Sequence, residues 1–167
     1  CRSRLDDLKQ QISRFNSRKR QIRQVLGPII GRDNIYFDPF NLNAHATDAT
    51  DWRLFLPVCV LRPDDESQVP QLVTAVQSMG YNLIPRGAGT GLTGGAAPLT
   101  DTCIMLNTEK LNTVSDIEVT TGDDGREYAS INLDAGVITN DAMEYARSAG
   151  YVFATDPTSA WACTIGG

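Results

Sequence analysis

The chain has 167 residues, of which 41% are hydrophobic and 21% are charged, values that are ordinary for one globular domain. No apolar run approaches the roughly 20 residues of a membrane-spanning helix, and no signal-peptide pattern opens the chain. Residues 1–26 hold eight basic and two acidic side chains, whereas the remainder, with 7 basic and 18 acidic residues, has a net charge of −11. Nucleic-acid-binding domains normally have a basic face, so this acidic body argues against that function.

The first predicted element is a long amphipathic helix that ends at Gly27-Pro28. Its apolar positions recur at spacings of three and four, with Lys19 in one of the slots: Leu5, Leu8, Ile12, Phe15, Ile22 and Leu26. This narrow stripe is typical of a helix that packs on the protein's own body or on a partner helix. Because basic helices also bind membrane surfaces and nucleic acids, an arm of that kind remains the alternative.

Residues 29–56 are predicted to be irregular and polar. They contain His45, the single histidine of the chain. No serine, cysteine or acid stands near it in an obvious catalytic arrangement, so we expect this histidine to have a structural role.

The regular body begins with a predicted strand–helix–strand unit. A buried-type strand spans residues 56–61, a helix runs from Asp64-Asp65 to about Met79, and a second strand covers residues 81–85. A unit of about 30 residues predicts two neighbouring parallel strands joined by a crossover helix.

The second half of the body changes character. Strands are predicted near residues 102–106, 113–120 and 127–133, and the last two are joined by a hairpin. A helix at residues 139–148 and a short strand at 151–153 complete the order. The chain thus passes from a parallel α/β unit into an antiparallel α+β region.

The four cysteines, at positions 1, 59, 103 and 163, predict neither a zinc site nor a redox site, because no pair has the C-x-x-C spacing. Cys59 and Cys103 lie within apolar strand-like runs, where a free cysteine behaves as a small hydrophobe. Unpaired thiols indicate a reducing compartment, so we expect a cytoplasmic protein.

The most informative segment is the glycine-rich stretch Pro85–Gly95, which has five glycines within nine residues directly after a strand. Such a backbone adopts positive φ angles, approaches a ligand closely, and presents successive N–H groups to an anion. Thr90 and Thr93 add hydroxyl donors, and Arg86 adds a permanent positive charge. The pattern predicts a diphosphate site, with an empty glycine-rich turn as the alternative.

Two other phosphate motifs fail on their context. Residues 89–94 match G-x-G-x-x-G, but the dinucleotide-binding motif needs a helix to begin within the loop, and Pro98 with the next strand leaves no room for one. A Walker A site would need a Gly-Lys-Ser/Thr sequence, which does not follow.

The glycine-rich stretch, the strand Pro57–Leu61 and the ending Asp156–Gly167 together resemble the FAD-linked oxidase family over roughly residues 33–167. This family includes the glycolate oxidase flavin subunit, D-lactate dehydrogenase and D-2-hydroxyglutarate dehydrogenase. The resemblance implies an α+β PCMH-type FAD-binding fold, with a small parallel α/β subdomain followed by part of an antiparallel α+β subdomain. We expect the N-terminal basic helix at 1–28, the first subdomain at 29–106 and the second at 107–167. Both ends look cut, and the second subdomain is expected to be incomplete.

The resemblance also implies a set of FAD contacts. The first glycine loop is expected to hold the pyrophosphate, and the second motif to lie along the flavin: Pro85, Arg86, Gly87, Ala88, Gly89, Thr90, Gly91, Leu92, Gly94, Gly95, Pro157, Cys163, Thr164 and Gly167. Some distant relatives tether FAD through a histidine at the position of Thr90, so we expect non-covalent binding here.

The implied function is oxidation of a D-2-hydroxy acid such as lactate, glycolate or 2-hydroxyglutarate, with an unknown electron acceptor and no catalytic residue in this piece. The segment Phe37–Arg53 and the basic helix before it resemble long family members that carry an additional iron–sulfur part. Two alternatives remain open: a cell-wall precursor reductase that shares the fold, and a non-catalytic interaction module that uses the basic helix. Self-association through uncovered strands is also expected.

Overall fold

The structure is a computed structural model that describes residues 2–167, with helix α1 spanning Arg2–Ile30. The prediction that Gly27-Pro28 ends this helix is wrong, because Pro28 lies inside it. The helix continues for another turn because Ile30 is buried in the core, and it stops before Gly31, whose φ is 80°. Packing of the last turn therefore outweighs the hydrogen bond that the proline removes.

The two halves of α1 have different surroundings. Its C-terminal half contributes Ile22 and Leu26, both fully buried, to the main hydrophobic core. Residues 4–18 are all exposed, including the apolar stripe of the first half. The amphipathic pattern is thus satisfied within the described residues only over the second half of the helix.

The segment 29–56 is more regular than predicted. It contains strand β1 (Ile35–Tyr36) and helix α2 (Pro39–Ala44). Asp38 caps α2, with its Oδ1 accepting a hydrogen bond of 3.0 Å from the backbone N–H of Asn41. An aspartate followed by a proline is an N-cap signal, so the start of this helix is encoded locally in the sequence.

A four-stranded sheet forms the centre of the molecule, in the order β1-β2-β4-β3. It contains β2 (Val60–Leu61), β3 (Asn82–Arg86) and β4 (Cys103–Asn107), and both β2 and β3 pair with β4 in parallel. The prediction that β2 and β3 are neighbours is therefore wrong, although their parallel direction is correct. All five residues of β4 are buried. In its central position in the sheet, this most apolar strand is shielded from solvent on both faces.

Helix α3 (Val69–Ser78) connects β2 and β3, and it packs against the C-terminal half of α1 and against β3. A short 3₁₀ turn at Glu66–Gln68 precedes it, and Asp65 caps this turn. Leu72 and Val76 of α3 are fully buried with Ile22 and Leu26 in one core cluster. This cluster fixes the sheet and hence the position at which β3 ends.

The second half of the chain contains the antiparallel hairpin of β5 (Glu118–Thr121) and β6 (Glu127–Ser130), followed by helix α4 (Thr139–Ser148). Helix α4 has the predicted bounds. All eight residues of the two strands are exposed, so this hairpin is covered on neither face within the described part of the chain.

The strand predicted at residues 151–153 is wrong. Gly150 adopts a φ of 84°, and the N–H of Tyr151 donates to the carbonyl of Ala146 at 2.9 Å, which closes the end of α4. The backbone is thus used for capping rather than for a strand. Over residues 2–167, no helix combines the length and the apolar character needed to cross a membrane.

Candidate functional site

The glycine-rich stretch forms a loop immediately after β3, at the edge of the sheet. Its glycines at 89 and 94 have φ angles of 71° and 76°. A Cβ atom on Gly89 would lie only 2.3 Å from Nη2 of Arg86, so no larger residue fits there without moving the arginine. The loop conformation therefore depends on glycine for both its torsion angles and its close packing.

A cavity of about 270 Å³ lies against this loop. Its lining comes from the loop, the C-terminal motif and one residue between α2 and β2: Asp48, Pro85, Gly87, Ala88, Gly89, Thr90, Gly91, Thr93, Gly95, Ala96, Cys163, Thr164 and Gly167. Of the residues predicted to contact FAD, four do not line it: Arg86, Leu92, Gly94 and Pro157. Asp48, Thr93 and Ala96 line it but were absent from the predicted contact set.

The two glycine-rich motifs meet beneath the cavity. A Cβ atom on Gly87 would lie 1.9 Å from Oγ1 of Thr164, and one on Gly167 would lie 2.4 Å from the backbone nitrogen of Gly87. The C-terminal motif is held by the segment before α4, since the N–H of Gly166 donates to the carbonyl of Ala135 at 2.8 Å. Both motifs therefore need glycine where their backbones touch.

Arg86 supports the loop from behind. Its buried guanidinium donates hydrogen bonds to the backbone carbonyls of Thr47, of Ala44 at 3.3 Å, and of Ala96 at 3.5 Å. Burial lowers the pKa of Arg86, and the nearby carboxylate of Asp48 acts in the opposite direction. An arginine remains charged in either case, so Arg86 gives the loop a positive charge without lining the cavity.

Asp48 connects the same upstream segment to the far side of the loop. Its Oδ1 accepts hydrogen bonds from the N–H and hydroxyl of Thr50, and its Oδ2 accepts one from the N–H of Ala96 at 3.4 Å. Burial acts to raise the pKa of Asp48, but these hydrogen bonds outweigh it and hold the pKa below its ordinary value. A backbone hydrogen bond of 3.0 Å from Ala49 to Gly89 adds to the connection.

His45 is structural, as predicted. Its Nδ1 lies 2.8 Å from the carbonyl oxygen of Asn41, and its Nε2 lies 2.9 Å from the side-chain nitrogen of Asn107. Burial lowers the pKa of His45, and the positive charges of Arg86 and Arg62 add to this effect. A neutral ring with its proton on Nδ1 satisfies both contacts, so the histidine joins α2 to the end of β4.

The cysteines and carboxylates do not form a metal site in the described residues. Cys59 and Cys103 are buried and unpaired, as predicted, and burial raises the pKa of the Cys59 thiol. Cys163 is half-buried, with its Sγ 3.2 Å from the hydroxyl of Thr139. Cys1 lies outside the described residues.

A second cavity of about 410 Å³ adjoins the first and shares Gly87, Ala88 and Thr164 with it. The rest of its lining comes from the segment after β4, from residues around the start of α4 and from the C-terminal motif: Glu109, Asn112, Val114, Gly136, Val137, Ile138, Asp141 and Ala162. The two cavities together form a groove from the glycine loop to α4, between the two halves of the chain.

The loop has the donors that a diphosphate requires. In the described chain, the backbone N–H groups from Ala88 to Gly95 donate no hydrogen bond to a protein atom. Consecutive free N–H groups in a glycine-rich loop form a concavity that binds phosphate oxygens. The residues present thus fit the pyrophosphate of a dinucleotide, and the adjoining groove offers space for the rest of one.

Comparison with known proteins identifies the dinucleotide. The profile of the FAD binding domain family matches residues 57–167. Glycolate oxidase subunit GlcD of Bacillus subtilis (strain 168) is 30% identical over 151 residues, which cover 89% of this chain and 29% of that protein. Mitochondrial D-2-hydroxyglutarate dehydrogenase of Arabidopsis thaliana is 24% identical over 139 residues, or 83% of this chain and 23% of that protein. The chain thus spans less than a third of the length of these relatives.

A solved structure confirms the predicted fold class. The crystal structure of p-cresol methylhydroxylase with substrate bound has a TM-score of 0.62 at 17% identity, over 80% of this chain and 25% of that chain. This is the α+β PCMH-type fold expected from the sequence. Since the family profile covers most of the chain, and the glycine loop fits a dinucleotide, the chain belongs to the FAD binding domain family of FAD-linked oxidases, and its cofactor is FAD.

Proposed function

We propose that this chain is the FAD-binding part of a longer flavin-dependent oxidoreductase that oxidises a D-2-hydroxy acid such as glycolate, lactate or 2-hydroxyglutarate. One observation carries the proposal: two glycine-rich motifs, about 60 residues apart, converge at Gly87 and Gly167 on one cavity. The relatives named for glycolate and D-2-hydroxyglutarate support the substrate class. We also propose the divisions 1–28, 29–106 and 107–167, of which the first boundary falls within the last turn of α1.

In this proposal the pyrophosphate lies against the free N–H groups from Ala88 to Gly95, with the hydroxyls of Thr90 and Thr93 as further donors. Arg86 contributes positive charge through the loop rather than direct contact, because its guanidinium is occupied by backbone carbonyls. Asp48 holds the N–H of Ala96 away from the anion and keeps that turn in place. Binding is non-covalent, since Thr90 offers no nucleophilic nitrogen.

The chain's own share of the chemistry is binding and orientation. When bound, FAD supplies the acceptor for the two electrons of an alcohol oxidation. The C-terminal motif, with Cys163 and Thr164, borders the cavity where the flavin side of the cofactor is proposed to lie. We assign no catalytic residue to residues 2–167: the base that removes the substrate's hydroxyl proton is proposed to lie elsewhere in the protein.

The remaining proposals concern the setting of the enzyme. The free cysteines are consistent with the cytoplasm, and the electron acceptor is proposed to be a separate redox partner or an iron–sulfur part of the longer protein. The uncovered hairpin β5–β6 supports self-association of the isolated chain.

Gly91→Val tests the binding half of the proposal. A Cβ atom at Gly91 meets no protein atom within 4 Å, and Gly91 lines the cavity, so this substitution fills ligand space and leaves the fold intact. We expect the variant to weaken FAD binding at least about tenfold, measured by fluorescence quenching on titration. Thr121→Val, on the exposed strand β5, is the matched control and is expected to bind normally. Equal affinity in both variants would remove the loop from the site.

The substrate half is tested in the longer protein that contains this chain. Anaerobic addition of D-lactate or D-2-hydroxyglutarate is expected to bleach the flavin absorbance at roughly 450 nm, whereas the L enantiomer of either acid is expected to leave it unchanged. Acid precipitation is expected to release all of the flavin into the supernatant. Bleaching by a nicotinamide nucleotide but by no hydroxy acid would favour the reductase alternative.

A further inference from the structure

The N-terminal half of α1 has the sequence pattern of a coiled-coil seam. Its apolar positions alternate at spacings of three and four, and the same register continues through the buried half of the helix: Leu5, Leu8, Ile12, Phe15, Lys19, Ile22 and Leu26. A 3.5-residue period of this kind places all seven positions on one narrow line, as the a and d positions of heptads.

The structure covers only half of this seam. Ile22 and Leu26 are fully buried against the protein's own core. The four apolar side chains of the first half are 45–52% exposed: Leu5, Leu8, Ile12 and Phe15. The first half of the seam therefore extends beyond the body of the protein, and no other segment of the described chain packs on its apolar side chains.

The free part of the seam leads into a groove on the body. This groove, of about 220 Å³, is bordered by Phe15 and by apolar side chains of the body, among them Phe37, Leu42 and Leu56. Leu56 is itself exposed. A partner that lies along α1 would thus have a place for its end, which a flat membrane surface would not fill.

The charges beside the seam indicate what kind of partner it binds. The positions that flank the seam, e and g of each heptad, carry basic or neutral side chains and no acid: Arg4, Lys9, Gln11, Asn16 and Arg18. In a parallel pair with a second copy, g and e positions face each other, so Arg4 would face Lys9. In an antiparallel pair the e positions face each other, as do the g positions, which again brings like charges together. Like charges at these positions disfavour pairing, whereas glutamates would be attracted.

The outer positions also argue against a membrane. Gln10 and Ser17, at the f positions, and Ser13, at a b position, are polar. A helix that lies in a membrane interface buries a broad apolar face, whereas this stripe has only two apolar residues in seven.

We propose that residues 4–18 of α1 are the docking site for an acidic amphipathic helix of a second protein. The partner helix packs its own apolar seam on Leu5, Leu8, Ile12 and Phe15, and its glutamates or aspartates lie opposite the basic flanks. This surface is separate from the glycine loop and goes beyond the proposed FAD chemistry.

A pair of synthetic helices tests the proposal with the 167-residue chain. Both peptides have about three heptads with leucine at a and d, and they differ only in having glutamate or lysine at e and g. We expect the glutamate peptide to bind at least about tenfold more tightly by fluorescence anisotropy, and its binding to weaken with salt. Equal binding of the two peptides, or none, would overturn the proposal.

Two variants locate the binding to the seam. Ile12→Glu places a charge on the apolar line. We expect it to weaken binding of the glutamate peptide at least about tenfold, because the apolar contact of Ile12 with the peptide is lost. Gln10→Glu adds the same charge on the opposite face and is the matched control, expected to bind as the parent chain. Both positions are exposed, so circular dichroism should show an unchanged body.

The other occupants are outcomes of the same experiment. A dimer of the chain in light scattering that Ile12→Glu abolishes would assign the seam to a second copy and overturn the proposal. Co-sedimentation with anionic phosphatidylglycerol vesicles that Ile12→Glu abolishes would assign it to a membrane and overturn the proposal as well.

Discussion

Strand β4 has five residues and each strand of the hairpin β5–β6 has four, but their surroundings are opposite. Every residue of β4 is buried between helices and neighbouring strands, whereas every residue of β5 and β6 is exposed. The hairpin is held by its ladder and by its turn, where the hydroxyl of Tyr128 donates to Asp124 at 2.8 Å. An isolated two-stranded hairpin is marginal in water. Stability and position of the site therefore depend on the sheet, and the hairpin adds little to either.

The largest effect that would test this contrast is in the core of the sheet. Ile104→Ala, in β4, is expected to lower the free energy of unfolding by about 2–5 kcal/mol, because it leaves a cavity at a fully buried position. The matched variant Val119→Ala, in β5, removes an exposed side chain and is expected to cost less than about 0.5 kcal/mol. Urea denaturation of both gives the comparison. Similar losses would mean that the hairpin is part of the cooperative core.

A smaller loss of stability is expected when the charged side chain of Arg86, behind the glycine loop, is removed. Arg86→Ala deprives three backbone carbonyls of a charged donor and should cost about 1.5–3 kcal/mol of stability. FAD affinity should fall as well, because the loop loses its support. Arg126→Ala, on the exposed hairpin, is the control and should change neither quantity. A normal unfolding curve with lost FAD binding would instead favour a direct contact between Arg86 and the phosphates.

The smallest effect is a pH dependence of the sheet region. The pKa of His45 is lowered from its ordinary value of 6.5, so the folded protein binds fewer protons than the unfolded chain below that pH. Stability is therefore expected to be fully present above 6.5 and to fall as the pH drops toward the lowered pKa. His45→Gln should flatten the profile in urea unfolding between about pH 7.5 and 5. An unchanged slope would assign the effect to other groups.

The elements that the sequence predicted well are those determined by local pattern. Helix α4 has its predicted bounds, and β4 begins and ends within one residue of the prediction. The glycine loop was located because its composition is unusual and because it follows a strand directly. Local periodicity and composition are enough for such features, since the neighbours that decide them lie within a few residues.

What the sequence did not predict depends on contacts between distant segments. The position of β4 between β2 and β3 follows from which strand is best covered on both faces, and no local pattern encodes it. The orientation of Arg86 is set by carbonyl groups about 40 residues upstream. Asp48 was missed for the same reason, because it reaches the loop only through the tertiary fold. Helix α2 differs, since its cap and proline could have been recognised.

The arginine behind the glycine loop has a consequence for how this site can be moved between proteins. The part of the chain that matches the family begins at residue 57, yet Ala44, Thr47 and Asp48 all lie before it. A chimaera that transplants only the matched part would carry Arg86 into its new host without its acceptors at Ala44 and Thr47, leaving this buried cation only the 3.5 Å hydrogen bond to Ala96. A functional graft would need residues from about 38 onward. The glycine loop and the upstream residues that hydrogen-bond to it must therefore be transferred together, although they are separate in the sequence.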